Sequence, residues 1–117
     1  MSPTIVFKDG KPFLVTGSPG GSRIITTVLQ VVSNVIDHGM NVAEATEAAR
    51  VHHQWLPDEL RVERGLSIDT IRLLQARGHK VEVRQAMGST HSIMMTKQGF
   101  EGASDQRQAG TLTAGAK

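Results

Sequence analysis

The run Gly17-Ser18-Pro19-Gly20-Gly21-Ser22-Arg23 is dense in backbone-permissive residues and leads directly into the apolar stretch Ile24–Ile36. Adjacent glycines let backbone N–H groups approach an oxyanion because no side chain intervenes. A helix starting just after them adds favourable partial charge. Three readings compete: a flexible turn, a pocket for an anion or a charged transition state, and a nucleotide phosphate site. The last is weakened because a P-loop needs wider glycine spacing and a Lys before its terminal Ser or Thr.

Other candidates for chemistry are thinner. The His52-His53 pair could donate protons or ligate a cation, but adjacent side chains usually diverge, and neither an HExxH spacing nor a cysteine set accompanies them. Ser89, Ser92, His91 and Asp105 can be assembled into a hydroxyl–imidazole–carboxylate set. Yet Gly88-Ser89-Thr90-His91-Ser92 lacks the GxSxG elbow that exposes a nucleophile. Arg50, Arg61, Arg64 and Arg84 could meet substrate carboxylates, a neighbouring subunit or water. Trp55, with Leu56 and Pro57, is expected to plug a groove or core boundary. The chain thus offers an oxyanion loop without a residue to attack.

The elements that must hold these groups follow from local pattern. Asp9-Gly10 separates two apolar runs within Thr4–Thr16, which predicts a β-hairpin with apolar groups on both faces. Pro12 should begin its strand or lie at an unpaired edge. Ile24, Ile25, Val28, Leu29, Val32, Val35 and Ile36 fall at helical spacing, so a buried helix is expected from about Ser22 to Asp37. β-Branching keeps a strand open as an alternative for part of it. Asn41 with Glu44 marks the start of a second helix ending near Arg50 or Val51. A strand over Leu60–Glu63 and a helix over Ser67–Arg77 follow, the latter with Ile68, Ile71 and Leu74 inward and Gly78 as its stop. A strand over Lys80–Arg84 and a hairpin pairing His91–Thr96 with Phe100–Ser104 complete the ordered part, with Met94 or Met95 facing the core. Residues 106–117 read as a tail, or as a strand needing an external sheet.

Composition narrows the classes. A chain of 117 residues holds one compact domain, not two. It has one Trp, three Phe and no Tyr, so stacking platforms for bases are scarce. Residues 1–60 carry four basic against six acidic side chains, and 61–117 carry nine against five. That tilt is too mild to predict nucleic-acid binding. The absence of cysteine excludes disulfides, thiolate nucleophiles and thiolate-bound metals. No run of 18 apolar residues occurs, and the opening Met1-Ser2-Pro3-Thr4 has no signal-peptide character.

Taken in order, Met1-Ser2-Pro3-Thr4-Ile5-Val6, Gly17–Ile25 and His52-His53-Gln54-Trp55-Leu56-Pro57-Asp58 resemble the C-terminal part of gamma-glutamyltransferase (gamma-glutamyltranspeptidase). Ala86-Met87-Gly88-Ser89-Thr90 and Gly102-Ala103-Ser104-Asp105-Gln106-Arg107 extend the match. It covers residues 1–107 as the C-terminal portion of the small subunit, with 108–117 weakly matched as a flexible tail.

The resemblance implies an α+β fold: a partial alpha-beta-beta-alpha sandwich of the N-terminal-nucleophile hydrolase superfamily, truncated and completed by self-association. It implies a precursor that cleaves itself to expose a threonine, which takes the γ-glutamyl group of glutathione or a related amide and passes it to an amine or to water. By motif position, Gly20 and Gly21 match the oxyanion-hole glycines, with loop support from Ser18, Ser22 and Arg23. The nucleophile is not assigned to Thr4; it and the donor-recognition residues fall outside the chain. The implied partners are the large subunit and the remainder of the small one. No metal, cofactor or nucleic acid is expected, and likeness to bacterial members points to a periplasmic or secreted complete protein. The fragment alone is expected to be inactive. The competing reading is an independent small-ligand-binding or structural module that uses the glycine loop.

Overall fold

A computed structural model describes residues 3–110. The expected tail is therefore visible only to Gly110, and its residues 111–117 lie outside the described part.

Strands β1 (Thr4–Lys8) and β2 (Lys11–Gly17) form the anticipated hairpin. Asp9 and Gly10 both take positive φ, 52° and 74°, as a tight two-residue turn requires. Val6 pairs with Leu14 but Phe7 with Pro12, so Phe13 is the extra residue of a bulge. A bulge is where a strand tolerates a residue with no N–H to donate, which accounts for Pro12 one place inside its strand rather than at its start.

After a single 3-10 turn at Gly21–Arg23, helix α1 runs Ile24–Ile36. Tertiary packing overrides its β-branched content: Thr27, Val31 and Val35 form a buried i, i+4, i+8 stripe. The expectation of a wholly buried helix is corrected, since Ile25, Leu29 and Ile36 face outward. Helix α2 spans only Val42–Glu47, behind a complete Asn41/Glu44 capping box. It stops short of the expected Arg50 because the chain turns extended at Ala48 and enters the two-residue strand β3 (Val51–His52), which pairs with β4 (Leu60–Glu63).

Helix α3 (Ile68–Ala76) ends as expected at Gly78 in positive φ, with His79 N–H reaching the Leu74 carbonyl. It has no buried residue, and Ile68, expected inward, is exposed because α3 packs mainly on the short strand β5 (Val81–Arg84). Strand β5 runs parallel to β4, and the last hairpin joins β6 (His91–Thr96) to β7 (Gly99–Ser104).

Two sheets result: a four-stranded antiparallel one ordered β1-β2-β6-β7 and a three-stranded one ordered β3-β4-β5. Helices α1 and α2 cover one face of the larger sheet, where Leu14, Val31, Val35, Val42 and Ala45 form the core and Met94 packs against it. The opposite face carries the cross-strand row Ile5–Val15–Ile93 together with Phe7, Met95 and Phe100, all exposed. An apolar sheet face of this kind is half of a sandwich interior.

Candidate functional site

The glycine loop is held by its neighbours rather than by itself. Strand β2 delivers Ser18, fully buried, whose hydroxyl donates to the Pro19 carbonyl at 2.6 Å and accepts the Ser89 N–H at 3.1 Å. Gly88, at φ 69°, packs beneath: a Cβ there would meet Ser18 Oγ at 2.7 Å and Thr27 Cγ2 at 3.0 Å. A Cβ on Gly20 would in turn lie 3.7 Å from Gly88 Cα. The segments 17–23 and 86–90, far apart in sequence, thus touch at Gly88, where a side chain would not fit.

Gly20 (φ 138°) and Gly21 (φ 59°) are exposed and sit in backbone regions that disfavour other residues. Neither N–H donates to another described residue. The Gly20 carbonyl accepts the Arg23 N–H at 3.2 Å, which fixes the turn. Two adjacent amide donors, unpaired and at the entrance to a helix, can receive negative charge on an oxygen placed before them.

Ser22 ties the loop to the next segment. Its hydroxyl donates to Gln54 Oε1 at 3.0 Å, the same oxygen lies 3.1 Å from His52 Nε2, and His52 Nδ1 lies 2.8 Å from Thr26 Oγ1. His52 is buried within this chain of contacts, whereas His53 points away to Asp58, 3.1 Å off. The two imidazoles therefore do not converge. Trp55 is 77% exposed, which corrects its expected place in a groove. Residues 53–58 around it are exposed as well.

The hydroxyl–imidazole–carboxylate set does not assemble. His91 is exposed, Ser92 is bonded to Thr16 at 2.8 Å, and Asp105 belongs to a different cluster. That cluster was not legible in the sequence. Arg50, 2% exposed, pairs with Asp105 at 2.7 Å and also donates to the carbonyls of Met87 and Thr46. Arg107 pairs with Glu63 at 2.7 Å and Asp105 at 3.1 Å while donating to the carbonyls of Thr46, Glu47 and Ala48. Two guanidiniums thus cap the C-terminal end of α2, where carbonyls lack helical partners. Arg50 is a buried structural cation here, not a surface contact for substrate.

Electrostatics agrees with this assignment. Burial opposes ionisation of Asp105, but N–H groups of Thr90 and Arg107 and the Arg50 guanidinium outweigh it and hold the carboxyl below its ordinary range. Glu63 is lowered in the same way: burial opposes, while Arg107 and the N–H groups of Met87 and Arg50 prevail. Arg50 is lowered by burial and by Arg107, and Arg107 is raised because its two carboxylates overcome burial. Both guanidiniums remain charged, since their ordinary value lies far above neutrality. The cluster also anchors Met87, whose N–H donates to Glu63 Oε1 at 2.6 Å, one residue before Gly88.

Two sheets with helices on one face and a bare apolar face opposite define a part of the N-terminal-nucleophile hydrolase sandwich. The match to the gamma-glutamyltranspeptidase model covers residues 1–115, and the chain belongs to that family. It is 69% identical over 116 residues to the glutathione hydrolase proenzyme of Escherichia coli, a match covering 98% of this chain and 20% of that protein. It is 36% identical over 113 residues to the Bacillus subtilis proenzyme, covering 94% and 19%. The chain thus spans about a fifth of the length of these relatives. Among solved structures, the T380A gamma-glutamyltranspeptidase of Helicobacter pylori matches at TM-score 0.87 and 52% identity, covering 92% of this chain and 61% of that one. The Pseudomonas nitroreducens enzyme complexed with L-DON matches at 0.87 and 38%, covering 99% and 62%.

Proposed function

We propose that this chain is the C-terminal portion of an enzyme that transfers the γ-glutamyl group of glutathione or related γ-glutamyl amides to amines or water. In this reading residues 1–107 supply the oxyanion hole and part of the sandwich. The nucleophilic threonine, the donor-recognition residues and the large subunit lie elsewhere. The threonine hydroxyl attacks the γ-carbonyl carbon, and the carbonyl π pair moves onto oxygen. Gly20 and Gly21 N–H groups receive that charge. The C–N bond then breaks, the amine departs with the proton given up by the hydroxyl, and water or a second amine releases the acyl group by the reverse sequence. Ser18, Ser22 and Arg23 hold the loop that carries both donors.

The observation that carries this reading is the pair of amides at Gly20 and Gly21, unpaired among the described residues, with Gly20 packed on Gly88, in a chain 69% identical to a glutathione hydrolase proenzyme. A chimera tests it: residues 1–117 replace the matching segment of the E. coli proenzyme. The chimera is expected to process itself and release glutamate from glutathione, while purified residues 1–117 alone turn nothing over. Turnover by the isolated chain would sink the inactive-portion reading. In the processed chimera, Gly21→Val should lower acyl transfer by about 10²–10³-fold, the usual loss for an oxyanion donor. Parental acylation and deacylation rates in a folded variant would remove the glycines from the mechanism. In isolation the bare face bearing Ile5, Val15 and Ile93 is expected to drive self-association, which light scattering reads directly.

A further inference from the structure

A second concavity shares a wall with the glycine loop. It has a volume of about 410 Å³ and is lined by Arg23, Arg61, Arg64 and Arg84 with Gln85 and Met87. This is the size of a small-molecule pocket. Two carboxylates serve its four guanidiniums: Glu59 lies 2.8 Å from Arg61 and 3.5 Å from Arg84, and Glu82 lies 3.8 Å from Arg84. The side chains of Arg23 and Arg64 have no partner among the described residues. Two cations in excess around one cleft repel each other and attract an anion.

The cleft lies beside the oxyanion donors. Arg23 is two residues beyond Gly21, and a Cβ on Gly20 would sit 4.0 Å from its Cβ. Met87 precedes the Gly88 that backs Gly20. A group whose carbonyl oxygen rests on Gly20 and Gly21 therefore has Arg23, and the cleft that Arg23 lines, beside it. Guanidinium forks bind carboxylates in bidentate fashion, and exposed Val83 in the same lining offers an apolar contact for the stem.

We infer that this cleft binds the terminal carboxylate of the peptide joined to the γ-glutamyl group, the portion that leaves on acylation or attacks on transfer. The inference rests on the proposed γ-glutamyl transfer and adds a preference to it: anionic peptides over neutral amides. Arg64 and Arg23 supply the vacant forks, and Glu59 with Glu82 keeps Arg61 and Arg84 in place.

The test uses the chimeric enzyme with two donors, glutathione and its glycine carboxamide, and reads the ratio of their kcat/KM values. Arg64→Ala removes no hydrogen bond or ion pair among the described residues, and a circular-dichroism melt checks that the variant folds. The ratio is expected to fall about tenfold, the worth of one charge-assisted contact. Arg72→Ala, on α3 outside the cleft, should leave the ratio unchanged. Calorimetry with cysteinylglycine and its carboxamide gives a reading independent of turnover. The carboxylate form should bind about tenfold more tightly, and Arg64→Ala should erase the difference. Equal binding of the two forms, or a ratio unmoved in both Arg64→Ala and Arg23→Ala, overturns the inference. An acidic protein segment filling the cleft would give that unmoved ratio together with weakened subunit assembly. Carboxylate-dependent binding without turnover would sink the γ-glutamyl transfer reading alone.

Discussion

The glycine loop and the arginine–carboxylate cluster meet at residues 87–88, yet they are built on opposite principles. The loop presents exposed backbone, and Gly20 and Gly21 contribute by having no side chain. The cluster is made of long charged side chains, with Arg50 and Asp105 almost wholly buried. Backbone donors need only local conformation, whereas buried ions need partners delivered from three separate segments. The loop's contact at Gly88 is therefore tied, through Met87, to a buried ionic centre.

The widest separation between the two regions should come from breaking the cluster. Arg50→Ala strands Asp105 without its 2.7 Å partner, and urea unfolding should report a loss of about 3–5 kcal/mol. A loss under about 1 kcal/mol would place this pair with surface ion pairs and dissolve the contrast. Acid acts on the same centre more gently. Asp105 and Glu63 have folded-state values below their unfolded ones, so the stability they lend is present above about pH 4 and is lost as pH falls through the depressed values. Thermal unfolding from pH 7 to 2 should follow that course, and Asp105→Asn should flatten it.

Gly88→Ala tests the loop's backing. Its new Cβ would overlap Ser18 Oγ at a positive φ, so a cost of about 1–3 kcal/mol is expected, with displacement of the glycine loop visible in a crystal structure. A neutral result would mean that the loop does not depend on this contact. The smallest effect belongs to the end of α2 away from the arginines: Asn41→Ala removes its capping box and should cost about 1 kcal/mol in the same unfolding assay.

What could be read in advance divides along the same line. Asp9-Gly10, Asn41 with Glu44, and Gly78 each encode their geometry within a few residues, so the hairpin, the start of α2 and the end of α3 were legible. The glycine loop was legible for that reason too, as a spacing. The cluster was not, because nothing near Arg50 announces Asp105, and Arg107 falls in a stretch whose composition resembles a tail. The early end of α2 has a related cause, since Arg50 is drawn inward and the carbonyls of residues 46–48 turn to arginines instead of extending the helix. Trp55 and Ile68 failed in the other direction: their apolar character predicted burial that the residues of this chain do not provide.

Arg107 grips Glu63 across 44 positions of sequence and the Ala48 carbonyl across 59. A ribosome adding about 5–20 residues per second therefore leaves Glu63 waiting roughly 2–9 s before its partner exists. In that interval the end of α2 is unfastened, and Glu63 and the Arg50 guanidinium remain without their partners. The latch is Asp105 with Arg107, so a chain stopped before Asp105 would carry its glycine loop without the anchor behind it, open to proteases.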